Sequence, residues 1–101
     1  MNMEKIFSYG TLQDPKVQQR LFNRTILGMP DVLVDYEITS VTSQGETFNC
    51  ADFKVGKRIR GIVYEISKEE LTRVDSYELK EYKRIKTTLL SGTQSWVYVR
   101  R

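Results

Sequence analysis

Apolar and polar positions along this chain follow two different periods, and the switches between them predict its elements. From Lys5 to Tyr9 a short apolar run reads as a strand that ends at Gly10. Asp14-Pro15 then reads as a helix start, with Asp14 as N-cap and Pro15 at the first helical position. Val17, Leu21 and Phe22 supply the apolar stripe of a short amphipathic helix. Thr25 to Gly28 is a candidate brief strand, and Met29-Pro30-Asp31 a turn. Val32 to Val41 alternates with period two, which puts Val32, Val34, Tyr36 and Ile38 on one face. Ser43 to Glu46 is a loop. Phe48 to Phe53 fits neither period and stays open, and Gly56-Lys57 reads as a turn.

Ile59 to Ile66 is the strongest strand signal. Gly61 inside it predicts a bulge or a close approach of another backbone. Ser67-Lys68-Glu69-Glu70 is a capping box that opens a second helix, which carries Leu71 and Val74. Tyr82 to Leu90 reads as a strand, Ser91-Gly92-Thr93 as a turn, and Gln94 to Val99 as the returning hairpin partner. Strands outnumber helices. The order predicts an α+β fold: a small mixed β-barrel or curled sheet with two flanking helices. The chain has 101 residues and no internal repeat or linker, so a single domain over residues 1–101 is expected.

Composition narrows the function classes. No apolar run approaches the roughly 18 residues of a membrane span, and Met1-Asn2-Met3-Glu4-Lys5 lacks the apolar core of a signal peptide. A cytoplasmic location and no membrane partner are expected. Cys50 is the only cysteine and there is no histidine. Ser-His and Cys-His nucleophile pairs are therefore absent, and no metal or other cofactor is expected. Any proton chemistry must come from Asp, Glu, Lys, Tyr or Cys. The net charge of +3 is scattered, apart from Lys57-Arg58-Arg60 and Arg100-Arg101. Nucleic-acid binders show a dense basic stripe, so no nucleic-acid partner is expected.

Two stretches have the makings of a site. After its strand, Gly10 has access to backbone angles that other residues resist. The amides of Gly10, Thr11 and Leu12 can then converge on a carboxylate or a developing oxyanion. The plain alternative is an ordinary strand–turn–helix connection. The second stretch is Leu71 to Tyr82. In a helix reaching Glu78, Leu71, Val74 and Glu78 share a face, and an inward carboxylate gains proton affinity by losing water. In a helix ending near Asp75, Glu78 stays in a solvated turn. Asp75 has Arg73 and Lys80 as possible partners, and Arg84 can hold Glu78 or Asp75. Tyr36, Tyr64, Tyr77 and Tyr82 are core or rim aromatics, any of which can line a pocket. Cys50 reads as a small apolar residue.

"FSYGTL" (Phe7 to Leu12), "RGIVYEIS" (Arg60 to Ser67), "VDSYELKEYKR" (Val74 to Arg84) and "WVYV" (Trp96 to Val99) together resemble the gamma-glutamylcyclotransferase-like family. That family includes the gamma-glutamylamine cyclotransferases and the plant avirulence-induced branch. The resemblance spans nearly the whole chain. It implies a small β-barrel with flanking helices and a cavity beside the Tyr-Gly-Thr-Leu loop. It implies Glu78 as the catalytic carboxylate, and Tyr9, Gly10, Thr11, Leu12 and Tyr82 as substrate-binding residues. The implied partner is a small-molecule γ-glutamyl substrate, a γ-glutamylamine or γ-glutamyl amino acid, cyclised to 5-oxoproline with release of the amine. Two positions depart from the family pattern. Leu79 follows Glu78 where the family often has glycine, and Cys50-Ala51 stands where it often has Pro-Ala, a change that bears on the pocket wall. The competing readings are a non-catalytic metabolite-binding module on the same fold and a small basic barrel that binds single strands.

Overall fold

The computed structural model describes residues 3–101; Met1 and Asn2, the start of the Met1 to Lys5 stretch compared with a signal peptide above, lie outside the described residues. Among the described residues the elements run β1 (Met3–Ser8), a 3-10 turn (Thr11–Gln13), α1 (Pro15–Phe22), β2 (Met29–Ser43), β3 (Glu46–Ser67), α2 (Lys68–Tyr77), β4 (Tyr82–Thr88) and β5 (Gln94–Arg100). The strands form one sheet in the order β2-β3-β1-β5-β4. β1 and β5 run parallel and the other neighbours antiparallel.

This mixed sheet curls into a half-barrel. The Leu90 amide, just past β4, donates to the Val32 carbonyl of β2 at 2.9 Å, so the two edges meet. The Ser91 hydroxyl donates to the Asp31 carboxylate across the same seam. Inside the curl Phe7, Val63 and Val97 pack with Leu33, Ile59 and Leu89. On the other face Ile6, Tyr64 and Ile66 meet Phe22, Leu71 and Val74 of the helices. With both faces covered, β1 buries consecutive residues (Ile6, Phe7 and Ser8) rather than alternate ones. No helix among the described residues is long and apolar enough to cross a membrane.

Both predicted caps are present. The Asp14 carboxylate accepts from the Lys16 amide at 2.9 Å. Ser67 Oγ accepts from the Glu70 amide at 3.1 Å, and Glu70 Oε1 accepts from the Ser67 amide at 2.8 Å. Arg24 completes the cap with a two-pronged contact to Glu70 at 2.9 and 3.0 Å, which holds that carboxyl below its ordinary range. Gly61 marks the expected close approach: a Cβ there would stand 2.3 Å from the Ser8 carbonyl oxygen and 2.5 Å from Phe7 Cζ.

Several sequence expectations are corrected around β2. Met29-Pro30-Asp31 is the start of that strand, not a turn; proline is tolerated because β2 lies at the sheet edge. Thr25 to Gly28 is not a strand. The expected face of Val32, Val34, Tyr36 and Ile38 does not exist. Leu33 is the fully buried residue, and Ile38 is half exposed. The cause is Asp35, at φ 65°, where the register shifts and the inside–outside alternation flips. Phe48 to Phe53 proves to be strand, and Gly56-Lys57 lies within β3 rather than in a turn. Lys54 to Lys57 bulge out opposite the single residue Asp35, and the Gly56 amide, at φ 88°, donates to the Asp35 carboxylate at 2.9 Å.

Candidate active site

The chain leaves the middle of the sheet at the end of β1 as Tyr9-Gly10-Thr11-Leu12. Leu12 is buried and pins the 3-10 turn to the helix-side core. The turn's own bonds begin with the Gln13 amide on the Gly10 carbonyl at 3.1 Å, so the Thr11 and Leu12 amides precede them. The Gly10 amide is held by the Ser8 hydroxyl at 3.3 Å. Gly10 is not left-handed, since its φ is −146°, and its ψ of −142° lies outside the usual extended range as well. A Cβ at this position would meet no heavy atom within 4 Å. Here the missing side chain keeps space open.

Glu78 arrives from the other side. α2 ends at Tyr77, and Glu78 is its C-cap: its amide still bonds the Val74 carbonyl at 2.9 Å, while φ −70° and ψ 146° already turn the chain away. The outcome falls between the two alternatives. The helix passes Asp75, yet Glu78 is released from it half-buried rather than solvated. Leu79 packs against the helix-side core, and the Tyr82 amide returns to the Leu79 carbonyl at 3.0 Å. Leu79 is not at positive φ, so this turn needs no glycine.

Between these two segments lies a cavity of about 690 Å³, within the range of small-molecule sites. Tyr9, Gly10, Thr11, Leu12, Glu78 and Tyr82 all line it. Tyr98, Asn49 and Arg20, which were not among the expected site residues, line it as well. Tyr98 had a legible signal: on β5 it shares a face with Trp96, opposite the buried Val97 and Val99. Cys50 and Ala51, the departure from Pro-Ala, do not form the wall; their neighbours Phe48 and Asn49 do. Cys50 is fully buried in the core, and burial pushes its thiol up, as befits an inert apolar residue.

The polar groups here fix one another. The Tyr9 hydroxyl donates to the Tyr98 carbonyl at 2.7 Å, and the Tyr82 hydroxyl to the Asn49 carbonyl. The Tyr98 hydroxyl donates to Asp75, whose carboxylate also pairs with Arg84 at 3.0 Å. Arg84 therefore holds Asp75, not Glu78, and its guanidinium lies 4.2 Å from the Trp96 ring centroid. Thr11 Oγ1 and the Tyr77 hydroxyl share a hydrogen bond of 2.8 Å, tying the loop to the end of α2.

Electrostatics separates these groups. Burial, with the Asp75 charge second, raises Glu78 from 4.5 to about 7. Burial raises all three tyrosines too: Tyr82 is pushed up to about 12, and Tyr9 and Tyr98 further. Near neutral pH the tyrosines remain protonated donors while Glu78 exchanges a proton. Among the described residues no three carboxylate or thiol groups gather as a metal site.

A family model described as "Gamma-glutamyl cyclotransferase, AIG2-like" matches residues 6–101. Solved structures share the fold. An Arabidopsis thaliana protein is 23% identical with a TM-score of 0.85, over 99% of this chain and 63% of that one. A structure described as gamma-glutamyl cyclotransferase is 16% identical with a TM-score of 0.80, over 99% and 68%. An AIG2-like protein of Mus musculus is 20% identical with a TM-score of 0.75, over 98% and 78%. The chain thus spans under two thirds of the length of the Arabidopsis protein. No curated protein matches it.

Proposed function

From membership of the gamma-glutamyl cyclotransferase, AIG2-like family, we propose that the chain, acting as one domain in the cytoplasm, cyclises a γ-glutamyl compound to 5-oxoproline and releases the amine, with Glu78 as base and then acid. The observation that carries this reading is the joint lining of one cavity by the Tyr9–Leu12 loop and by a carboxyl raised to about 7.

The glutamyl α-ammonium enters beside Glu78, which takes one of its protons. The freed nitrogen attacks the γ-carbonyl of the same molecule. The new C–N bond closes a five-membered ring, and the carbonyl π pair moves onto oxygen. That pair returns and the old C–N bond breaks as Glu78 delivers its proton to the departing nitrogen. Glu78, ionised again, takes the second proton from the ring nitrogen and passes it to the released amine. The substrate's ammonium charge ends on the released amine, so charge and protons balance. A base with a pKa near the working pH suits both directions of this transfer, and general acid–base catalysis supplies roughly 10²–10⁴-fold. Holding both reacting groups in the folded conformation supplies much of the rest. Amides of the Tyr9–Leu12 loop orient the glutamyl carboxylate or receive the carbonyl oxygen as it gains charge. Tyr82 lines the cavity with them.

The test is a screen of γ-glutamyl compounds for 5-oxoproline release, with Glu78→Gln as control. This substitution keeps the shape and removes the base. Release by the wild type and loss in Glu78→Gln are expected. Turnover at the wild-type rate in Glu78→Gln would overturn the assignment.

A further inference from the structure

Arg20 projects from α1 onto the cavity lining and is exposed. Its guanidinium lies 5.8 Å from the centroid of the Tyr77 ring, a distance at which the ring face attracts a cation. That ring is itself held, since the Tyr77 hydroxyl bonds Thr11 of the loop. Arg24, Arg84 and Arg100 each pair with a carboxylate; among the described residues Arg20 pairs with none. The result is a guanidinium fork at the rim, beside an anchored ring, with its donors unused by carboxylates.

We propose that Arg20 binds a carboxylate carried by the departing amine, and so makes γ-glutamyl amino acids and peptides preferred over γ-glutamyl amines that lack this group. This rests on the cyclotransferase reading. The α-ammonium and α-carboxylate of the glutamyl part share one carbon, so placing the ammonium against half-buried Glu78 carries the α-carboxylate inward too. An exposed rim group meets the other end of the substrate. The planar fork matches a carboxylate in two parallel hydrogen bonds. The opposing charge at the rim is Glu46, the first residue of β3, also exposed and on the lining. It would favour a cationic leaving group, so the two residues predict opposite preferences and can be told apart.

Three probes of similar size separate them: γ-glutamyl-alanine, its uncharged isostere γ-glutamyl-alaninamide, and γ-glutamyl-2-aminoethylamide, which ends in a cation. A charge-assisted bond at an exposed rim predicts a KM for the alanine compound about tenfold below that of its amide. In Arg20→Gln this ratio falls toward one, and Arg20→Lys restores part of it. A ratio near one in the wild type, a ratio that survives Arg20→Gln, or a preference for the cation overturns the proposal. If the wild type releases no 5-oxoproline from any probe, the cyclotransferase reading fails. Calorimetric titration of the alanine compound and its amide into wild type and Arg20→Gln then decides the Arg20 question through the same ratio, and absence of binding by both compounds refutes it.

Discussion

Asp75 precedes Glu78 by three residues and does not line the cavity, yet its charge reaches the Glu78 carboxyl. Of the rise from 4.5 to about 7, burial is the larger cause and Asp75 the smaller. Asp75 therefore accounts for less than half of it, about one pH unit at most. Asp75→Asn removes the charge while keeping an oxygen to accept the Tyr98 hydroxyl. It also leaves Arg84 uncompensated nearby, which pulls Glu78 the same way. Arg84→Gln does the reverse, exposing Glu78 to an unneutralised Asp75. The other titratable neighbours, Tyr9, Tyr82 and Tyr98, are uncharged near pH 7. The assay is kcat/KM for 5-oxoproline release from about pH 5 to pH 9, whose acid limb reports the essential base of the free enzyme. The limb is expected near pH 7 in the wild type, about half to one unit lower in Asp75→Asn, and higher in Arg84→Gln. Limbs that stay fixed in both variants, or move in the same direction, would refute the contribution of Asp75 to the proton affinity of Glu78.

The other predictions concern stability and space. Because folding raises the proton affinity of Glu78, its ionised form opposes folding, and stability falls as pH rises from about 4.5 through about 7. Glu78→Gln should therefore gain melting temperature over wild type at pH 8 and little at pH 4, as read by thermal denaturation at both; equal gains would contradict the buried carboxyl. Gly10→Ala should change stability by no more than about 1 kcal/mol, since its Cβ meets nothing within 4 Å, while raising KM by filling space in the cavity; an unchanged KM would remove Gly10 from the site. Gly61→Ala should cost about 3 kcal/mol or more in denaturant unfolding, because its Cβ meets backbone oxygen at 2.3 Å.

Local chemistry was the legible part of this chain. The Asp14 cap and the Ser67–Glu70 box state their helices within four residues, and Ile59 to Ile66 declares a strand by composition alone. Phe48 to Phe53 did not, since its pairing with β2 runs past a bulge of Lys54 to Lys57 that no period describes. Asp35 defeated the alternation of β2 for the same reason: one residue in a left-handed conformation reverses inside and outside beyond it. At the site, Glu78 could be read as inward or solvated, because the choice depends on where α2 stops. Tyr98 and Arg20 were passed over because their neighbours come from distant segments, and a helix stripe names the apolar side only.

The parallel pairing of β1 with β5 has a kinetic consequence. The bond between Tyr9 and Tyr98 joins residues 89 apart, and closing a loop of that length costs about 4 kcal/mol of chain entropy beyond a constant term. Contacts so remote in sequence form slowly. The cavity wall depends on this remote pairing, so a chain in which β5 has not yet docked on β1 is expected to lack the finished cavity. A ligand that fills the cavity recognises only the finished sheet, so its binding stabilises the whole fold by RT ln(1 + [L]/Kd). Thermal shift therefore offers a substrate search that requires no turnover.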